Sequence, residues 1–372
     1  VVPGDSLYSI GKQYGVNYFK IARENELDLN KTLVVGQTIV IKEAGTTKKL
    51  GNIDVNGYAF PAISDELLNK AIPYLTYLSI FSYAVRADGS LVGINEQELI
   101  NKAKNSGVQP VMVITNTKEG EGFDTSLAHT ILNSTTAQDN LIKNVLATMK
   151  SKGYEGLDVD FEYVDPQDKD EYNAFMRKLS VAVKNAGYFL TVALAPKTSA
   201  TQKGTLYEAH DYRFQGSVVD HVILMTYEWG YTYSAPMAVA PLPAVKRVLD
   251  YAVSEIPAGK ILMGIPNYGY NWKTPYKEGT AAQSIGNYQA VDIARKYYAK
   301  IDYDYVSQSP YFNYYDEGQG HQVWFEDARS IEAKLKIIPS YGLSGISYWT
   351  LNRKFPQNWL VLSSLYNINK KA

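Results

Sequence analysis

From Gly51 onward, eight apolar runs of strand length recur, and the segments between them space their apolar residues as helices do. The runs fall at 52–60, 75–85, 108–116, 156–162, 189–195, 219–227, 261–268 and 345–351. Strands that alternate with helices build a parallel sheet covered on its outer face. Eight such units within residues 51–372 predict an α/β fold, a closed (β/α)8 barrel. An open doubly wound sheet would carry a glycine-rich phosphate turn after its first strand, and Gly57-Tyr58-Ala59-Phe60 is not one.

The barrel leaves two pieces over. Residues 1–43 read as a compact unit in the order strand, helix, helix, strand: Pro3-Gly4-Asp5-Ser6 turns into a helix bearing Leu7 and Ile10, Gly15 ends it, a second helix starts at Tyr18, and 33–41 forms the closing strand. Residues 44–50 are polar and unpatterned, as a linker is. A tyrosine-rich stretch at about 273–325 interrupts the barrel between strands seven and eight and predicts a small α+β insertion. It offers Tyr311, Tyr314, Tyr315 and Trp324 as candidate sugar contacts. Val1 opens the chain without an initiator Met, which predicts a fragment or a processed product.

The chemistry concentrates in Tyr154-Glu155-Gly156-Leu157-Asp158-Val159-Asp160-Phe161-Glu162. Side chains alternate along a strand, so Asp158, Asp160 and Glu162 share one face and Leu157, Val159 and Phe161 the other. Carboxylates about 6 to 7 Å apart in succession need water, a sugar, a metal or a shared proton. A barrel resolves much of this, because its active site sits at the C-terminal ends of the strands and the acid face becomes its interior. Paired acids there suit glycoside hydrolysis, with a coupled set holding a proton near neutral pH. A metal is not expected, since the other strand ends offer few hard oxygen ligands and His221 lies at the early end of strand six.

Composition narrows the partners. Lys and Arg number 37 against 38 Asp and Glu, a net charge of -1 that leaves no basic excess for a phosphate backbone, so nucleic acid is not expected. No cysteine is present, which removes disulfides and thiolate chemistry. No apolar run approaches the roughly 20 residues of a membrane span. Tyr outnumbers Phe, 31 to 11, and such rings stack on sugars while hydrogen-bonding their hydroxyls.

Two resemblances sharpen this reading. Pro3-Gly4-Asp5-Ser6-Leu7, Asn25 and Leu33-Val34-Val35-Gly36-Gln37 resemble the LysM module, which implies recognition of N-acetylglucosamine polymers, peptidoglycan or chitin. Gly4, Asp5, Ser6, Leu7, Asn25 and Leu27 are the residues implied. The run 155–162 is similar to the Asp-Gly-x-Asp-x-Asp-x-Glu signature of glycoside hydrolase family 18. Gly57-Tyr58, 193–196, Met225-Thr226-Tyr227 and Tyr348-Trp349 match that family's other strand ends.

The second resemblance implies a retaining, substrate-assisted mechanism without a cofactor. Glu162 is then acid and later base, Asp160 holds the substrate's acetamido nitrogen, Asp158 tunes Asp160, and Tyr227 binds the acetamido carbonyl. Trp349 is the apolar floor, and Tyr58, Asn116, Met225 and Glu228 complete the substrate contacts. Glu228 stands where the family has Asp, and Ile114-Thr115-Asn116-Thr117 replaces a serine and paired glycines. These departures weigh against polymeric chitin. Met225 to Gly230 and His321 to Asp327, with the LysM unit, are similar to a bacterial subgroup of spore germination and cortex lysis. They imply an N-acetylglucosaminidase of spore peptidoglycan, monomeric, placed in the spore cortex, coat or cell wall. The alternatives are a chitinase or chito-oligosaccharide hydrolase, and a carbohydrate-binding protein without activity.

Overall fold

The computed structural model describes residues 1–41, 48–118 and 121–371. Eight parallel strands form the centre: β1 Gly51–Ala59, β2 Tyr77–Ala84, β3 Gln109–Thr115, β4 Gly156–Asp160, β5 Phe189–Leu194, β6 His221–Leu224, β7 Ile261–Pro266 and β8 Gly345–Trp349. Each pairs with its sequence neighbour, and β8 returns to β1 with Val55 opposite Ile346, which closes the barrel. All eight expected runs are strands. Their C-terminal ends come earlier than expected, so Glu162, Tyr227 and Tyr268 lie just past the last residue of their strands. Tyr227 and Tyr268 continue the apolar pattern, and with Glu162 they line the barrel mouth, where pairing has already ceased. A further short strand, Tyr366–Ile368, extends the sheet beside the start of β1 and was not anticipated.

Strand β4 shows why the alternating run folds as it does. Leu157, Val159 and Phe161 are fully buried on the outer face, where Phe161 stacks on Tyr172 and Phe175 of helix Lys169–Asn185. Burying three such side chains contributes about 1.5–3 kcal/mol each. That packing fixes the register, and a one-residue slip would turn the acids into the helices.

The insertion is a five-stranded antiparallel sheet carrying helix Asn287–Lys296. It starts at Gly269, earlier than the expected 273, because the chain turns straight out of β7 into the first hairpin strand, Gly269–Thr274.

The N-terminal unit has its two helices, Leu7–Tyr14 and Tyr18–Glu24; Ser6 and Ser9 form a capping box on the first, and Gly15 ends it in the left-handed conformation. The flanking segments do not form the expected strands. Val1 exchanges one pair of bonds with 36–37, donating to the Gln37 carbonyl at 3.0 Å and accepting from the Gly36 N–H at 2.8 Å, and one exchange is not a ladder. Of the expected linker, residues 44–47 lie outside the described residues.

This unit packs against the insertion and the barrel rim. Val34 joins the insertion's core with Ile285, Phe312 and Phe325. The Ile301 N–H donates to Val35 O at 2.9 Å, Arg295 Nε to Thr32 O at 2.7 Å, and Tyr288 Oη to Glu26 O at 2.8 Å. The Glu26 carboxylate bridges Lys70 at 2.8 Å and Lys354 at 2.9 Å. Gly36 is the tightest point: its φ is +86°, and an added Cβ would lie 1.8 Å from Ile301 O. Gly36→Ala should therefore cost about 1–3 kcal/mol and loosen the unit from the insertion. Small-angle scattering should show a larger maximum dimension, and a superimposable profile with an unchanged melting temperature would contradict this packing.

Candidate active site

Inside the barrel the acids stand in line along β4 and just beyond it. Asp158, the deepest, is fully buried and accepts from Tyr58 Oη and Thr191 Oγ1, both at 2.6 Å. Burial raises its pKa to about 6, and the two hydroxyls partly offset that rise. Tyr58, buried on β1, thus serves as a clamp on Asp158 while its ring edge meets Trp349.

Asp160 lies one step nearer the mouth. Its Oδ1 is buried and has no hydrogen-bond partner. Burial first, then the charges of Glu162 and Asp158, hold its carboxyl well above the usual carboxylate range. Glu162 tops the line. Burial and the nearby Glu228 push it up to about 7. The set shares its protons as a coupled group, which is what an acid that must deliver a proton near neutrality requires.

These groups open onto a cavity of about 480 Å³. Asp160, Glu162, Tyr58, Met225, Tyr227, Glu228 and Trp349 all line it. Trp349 forms an apolar wall against Tyr58, Phe60 and Phe81. Glu228 sits at the rim with φ +69°, and its Oε1 accepts from Tyr268 Oη and from Tyr270 Oη, the latter at 3.0 Å. Burial raises its pKa as well.

Asn116 is not at the cleft surface. It is fully buried, with its Oδ1 accepting from the Glu162 N–H at 2.9 Å and its Nδ2 donating to Glu162 O at 2.8 Å. The amide has no free edge for a sugar, so the expected substrate contact is replaced by a clamp on the backbone of the acid. A second clamp escaped sequence reasoning altogether. Buried His210 accepts the Ala195 N–H on Nδ1 at 2.8 Å, and its Nε2 then donates to Phe161 O at 2.9 Å. Burial lowers its pKa to about 4, so the ring stays neutral and keeps that one tautomer. An isolated His in a loop gives no sequence signal for such a role.

The insertion residues also differ from expectation. Tyr311 stacks on Trp324, Tyr314 stacks between Tyr297 and His321, Tyr315 is exposed, and none of the four lines the cavity. Tyr311, Tyr314 and Trp324 pack within the insertion itself. The cavity instead draws its tyrosines from the barrel loops, Tyr163, Tyr207, Tyr231 and Tyr268.

In the N-terminal unit, Leu7 is core and Asn25 is fully buried, its amide bonded to Ile21 O and to Val40 on both backbone groups. Neither offers a sugar a free edge. Leu27 is half-buried against that core. Gly4, Asp5 and Ser6 form the turn itself, with Asp5 accepting from the Val2 N–H at 2.8 Å and Ser6 capping the helix.

The arrangement is that of a glycoside hydrolase, and comparison with known proteins agrees. Residues 48–353 match the model of glycosyl hydrolases family 18, and residues 1–42 match the LysM domain. The chain belongs to glycosyl hydrolases family 18 and carries an N-terminal LysM domain. It is 42% identical, over an alignment of 425 residues, to the cortical fragment-lytic enzyme of Bacillus subtilis, covering 100% of this chain and 98% of that one. The crystal structure of the Bacillus cereus spore cortex-lytic enzyme SleL superimposes with a TM-score of 0.94 at 36% identity, covering 100% of this chain and 98% of that one. A chitinase from Chromobacterium violaceum matches at TM-score 0.79 and 26% identity over 84% of this chain and 98% of its own.

An acid acts only while protonated, so activity should fall as pH rises through about 7, where Glu162 loses its proton. The negative charge of Glu228 holds that value up. Glu228→Gln should move the alkaline limb of the kcat/KM profile to lower pH, and a limb that stays or rises would contradict the electrostatic assignment.

Proposed function

We propose that this glycosidase cleaves the bond on the reducing side of N-acetylglucosamine in spore cortex peptidoglycan, by a retaining mechanism in which the substrate's own acetamido group is the nucleophile. One observation carries the reading. Asp160 presents a buried, unpartnered carboxyl oxygen beside Glu162 and Tyr227 in a cavity sized for a sugar, and Glu162 is the acid nearest the mouth. Of the neighbouring carboxyls, Asp158 is engaged by Tyr58 and Thr191 and Glu228 by Tyr268 and Tyr270, which leaves the Asp160 oxygen to receive the acetamido N–H. Glycosidases of this family depart from the two-carboxylate pattern in this way.

The steps follow from the positions. Protonated Glu162 gives its proton to the glycosidic oxygen as the C1–O bond breaks. The acetamido carbonyl oxygen bonds to C1 from the opposite face, closing a five-membered ring whose nitrogen carries positive charge. Asp160 accepts the N–H of that nitrogen on its unpartnered Oδ1, and the positive charge developing there favours its carboxylate form. The Tyr227 hydroxyl donates to the acetamido oxygen, and Trp349 supports the sugar ring from below. Glu162, now a carboxylate, takes a proton from water as the water oxygen bonds to C1 and the ring reopens. Two inversions leave the configuration retained.

Asn116 and His210 hold Glu162 and Phe161 in place from either side, a second role that needs no contact with substrate. The LysM domain, packed against the insertion, holds a glycan strand through the exposed turn at Gly4 to Ser6 and the loop that follows Asn25. The protein works as a monomer in the cortex, coat or cell wall of the spore.

Glu162→Gln should keep the circular dichroism spectrum and melting temperature yet lower kcat by about 10²–10⁴-fold. Mass spectrometry of cortex digested by the wild type should show fragments ending in reducing N-acetylglucosamine. Fragments ending in reducing muramic acid would reject the proposed bond.

A further inference from the structure

The catalytic cavity continues past Glu228 into a side pocket of about 340 Å³. Pro196, Tyr207, Tyr227 and Glu228 line both spaces, so they form one continuous cleft. The two parts differ in charge. The catalytic part is walled by Asp160, Glu162 and Glu228, and among the described residues no Lys, Arg or His lines it. The side pocket shares Glu228 and has Thr198, Ser199, Gln202 and Trp229 in its walls, and its single cation among the described residues is Arg247, exposed on helix Leu242–Glu255. Among the described residues Arg247 forms no ion pair or hydrogen bond, unlike Arg213 and Arg329, which fork onto Glu255 and Asp327. The Gln202 amide is already used, its Oε1 accepting from Thr198 N at 2.7 Å and its Nε2 donating to Pro196 O at 3.4 Å, which leaves the guanidinium as the wall's charged donor.

We infer that this side pocket is a subsite for the carboxylate-bearing substituent of the sugar next to the cleaved N-acetylglucosamine, with Arg247 as its anchor. The inference rests on the peptidoglycan reading above. Muramic acid carries a lactyl ether that ends either in a free carboxylate or in an attached peptide with its own carboxylates, whereas a chitin chain has only neutral acetamidoglucose. Among the described residues that line the continuous wall, Arg247 is the one cation, and it attracts such a group. The arginine fork matches a carboxylate in two parallel N–H to O bonds, which a lysine cannot reproduce. Arg247 touches a part of the substrate that does not react, so it selects and orients the glycan and takes no part in proton transfer. The pocket thereby separates muramyl glycans from chito-oligosaccharides of equal length.

The test compares kcat/KM of the wild-type chain, Arg247→Gln and Arg247→Lys on three soluble substrates. These are cortex glycan stripped of peptides, which presents free lactyl carboxylates; glycan that retains its peptides; and neutral chitotetraose. The quantity read is the ratio of muramyl glycan to chitotetraose for each protein. Arg247→Gln should lower that ratio about tenfold or more, chiefly through KM, in keeping with the loss of a charged hydrogen bond. Arg247→Lys should lower it less. The stripped glycan responding more than the peptide-bearing glycan identifies the lactyl carboxylate as the ligand, and the reverse identifies the peptide. A wild type that cuts muramyl glycan while all three proteins share one ratio overturns the subsite and leaves the cortex reading intact. A wild type that cuts chitotetraose and neither muramyl glycan overturns both.

Discussion

Three carboxyl groups in line within a barrel interior cannot all be charged, and much of the site follows from that restriction. Burial alone raises each pKa, and mutual repulsion raises the middle one further. The protein relieves the strain unevenly. Asp158 receives two hydroxyls, Asp160 receives none, and Glu162 faces the cavity beside Glu228. The result is a line of acids with a proton to deliver at the mouth and an unsatisfied oxygen one step below. A carboxyl left without a partner costs stability, and here the missing partner is one that the acetamido group of a substrate can supply.

Delivering that proton to one bond also requires that Glu162 not wander, and it lies beyond the last residue of its strand. Two side chains restore what the strand no longer provides. Asn116 bonds both backbone groups of Glu162, and neutral His210 ties the preceding carbonyl to the end of β5. Both are fully buried, so their amide and ring do the work of a missing ladder. Outside the barrel the same economy recurs: the LysM domain is held by Val34 in the insertion's core, by backbone bonds and by Glu26 between two lysines. Its orientation to the cleft is therefore set by packing as well as by the connecting chain.

The parts of this arrangement that a sequence can carry are those with a period or a spacing. The eight apolar runs stated the barrel, and the alternation at 157–162 stated which acids share a face, because both are properties of a strand. Strand ends were less legible, since an aromatic that lines a cleft mouth reads like one that fills a core. Asn116 illustrates the limit. Its position at the end of β3 was readable, but whether the amide meets a sugar or the backbone of Glu162 depends on a loop 46 residues away. His210 had no pattern at all. The insertion's aromatics lie outside the catalytic cavity for a related reason: stacking pairs such as Tyr311 with Trp324 satisfy their faces within the hairpin, and no local signal distinguishes such a ring from one awaiting a sugar.

The central claim is that the substrate supplies the nucleophile while Glu162 supplies the proton. The most direct measurement is the rate on a matched pair of oligosaccharides that differ only at the sugar whose C1 is attacked, N-acetylated in one and a free amine in the other. The account predicts that removing the acetyl group lowers kcat by about 10³-fold or more, since a nucleophile held in place contributes several kcal/mol. Comparable turnover of the deacetylated sugar would contradict it and would return the nucleophilic role to a carboxylate of the protein.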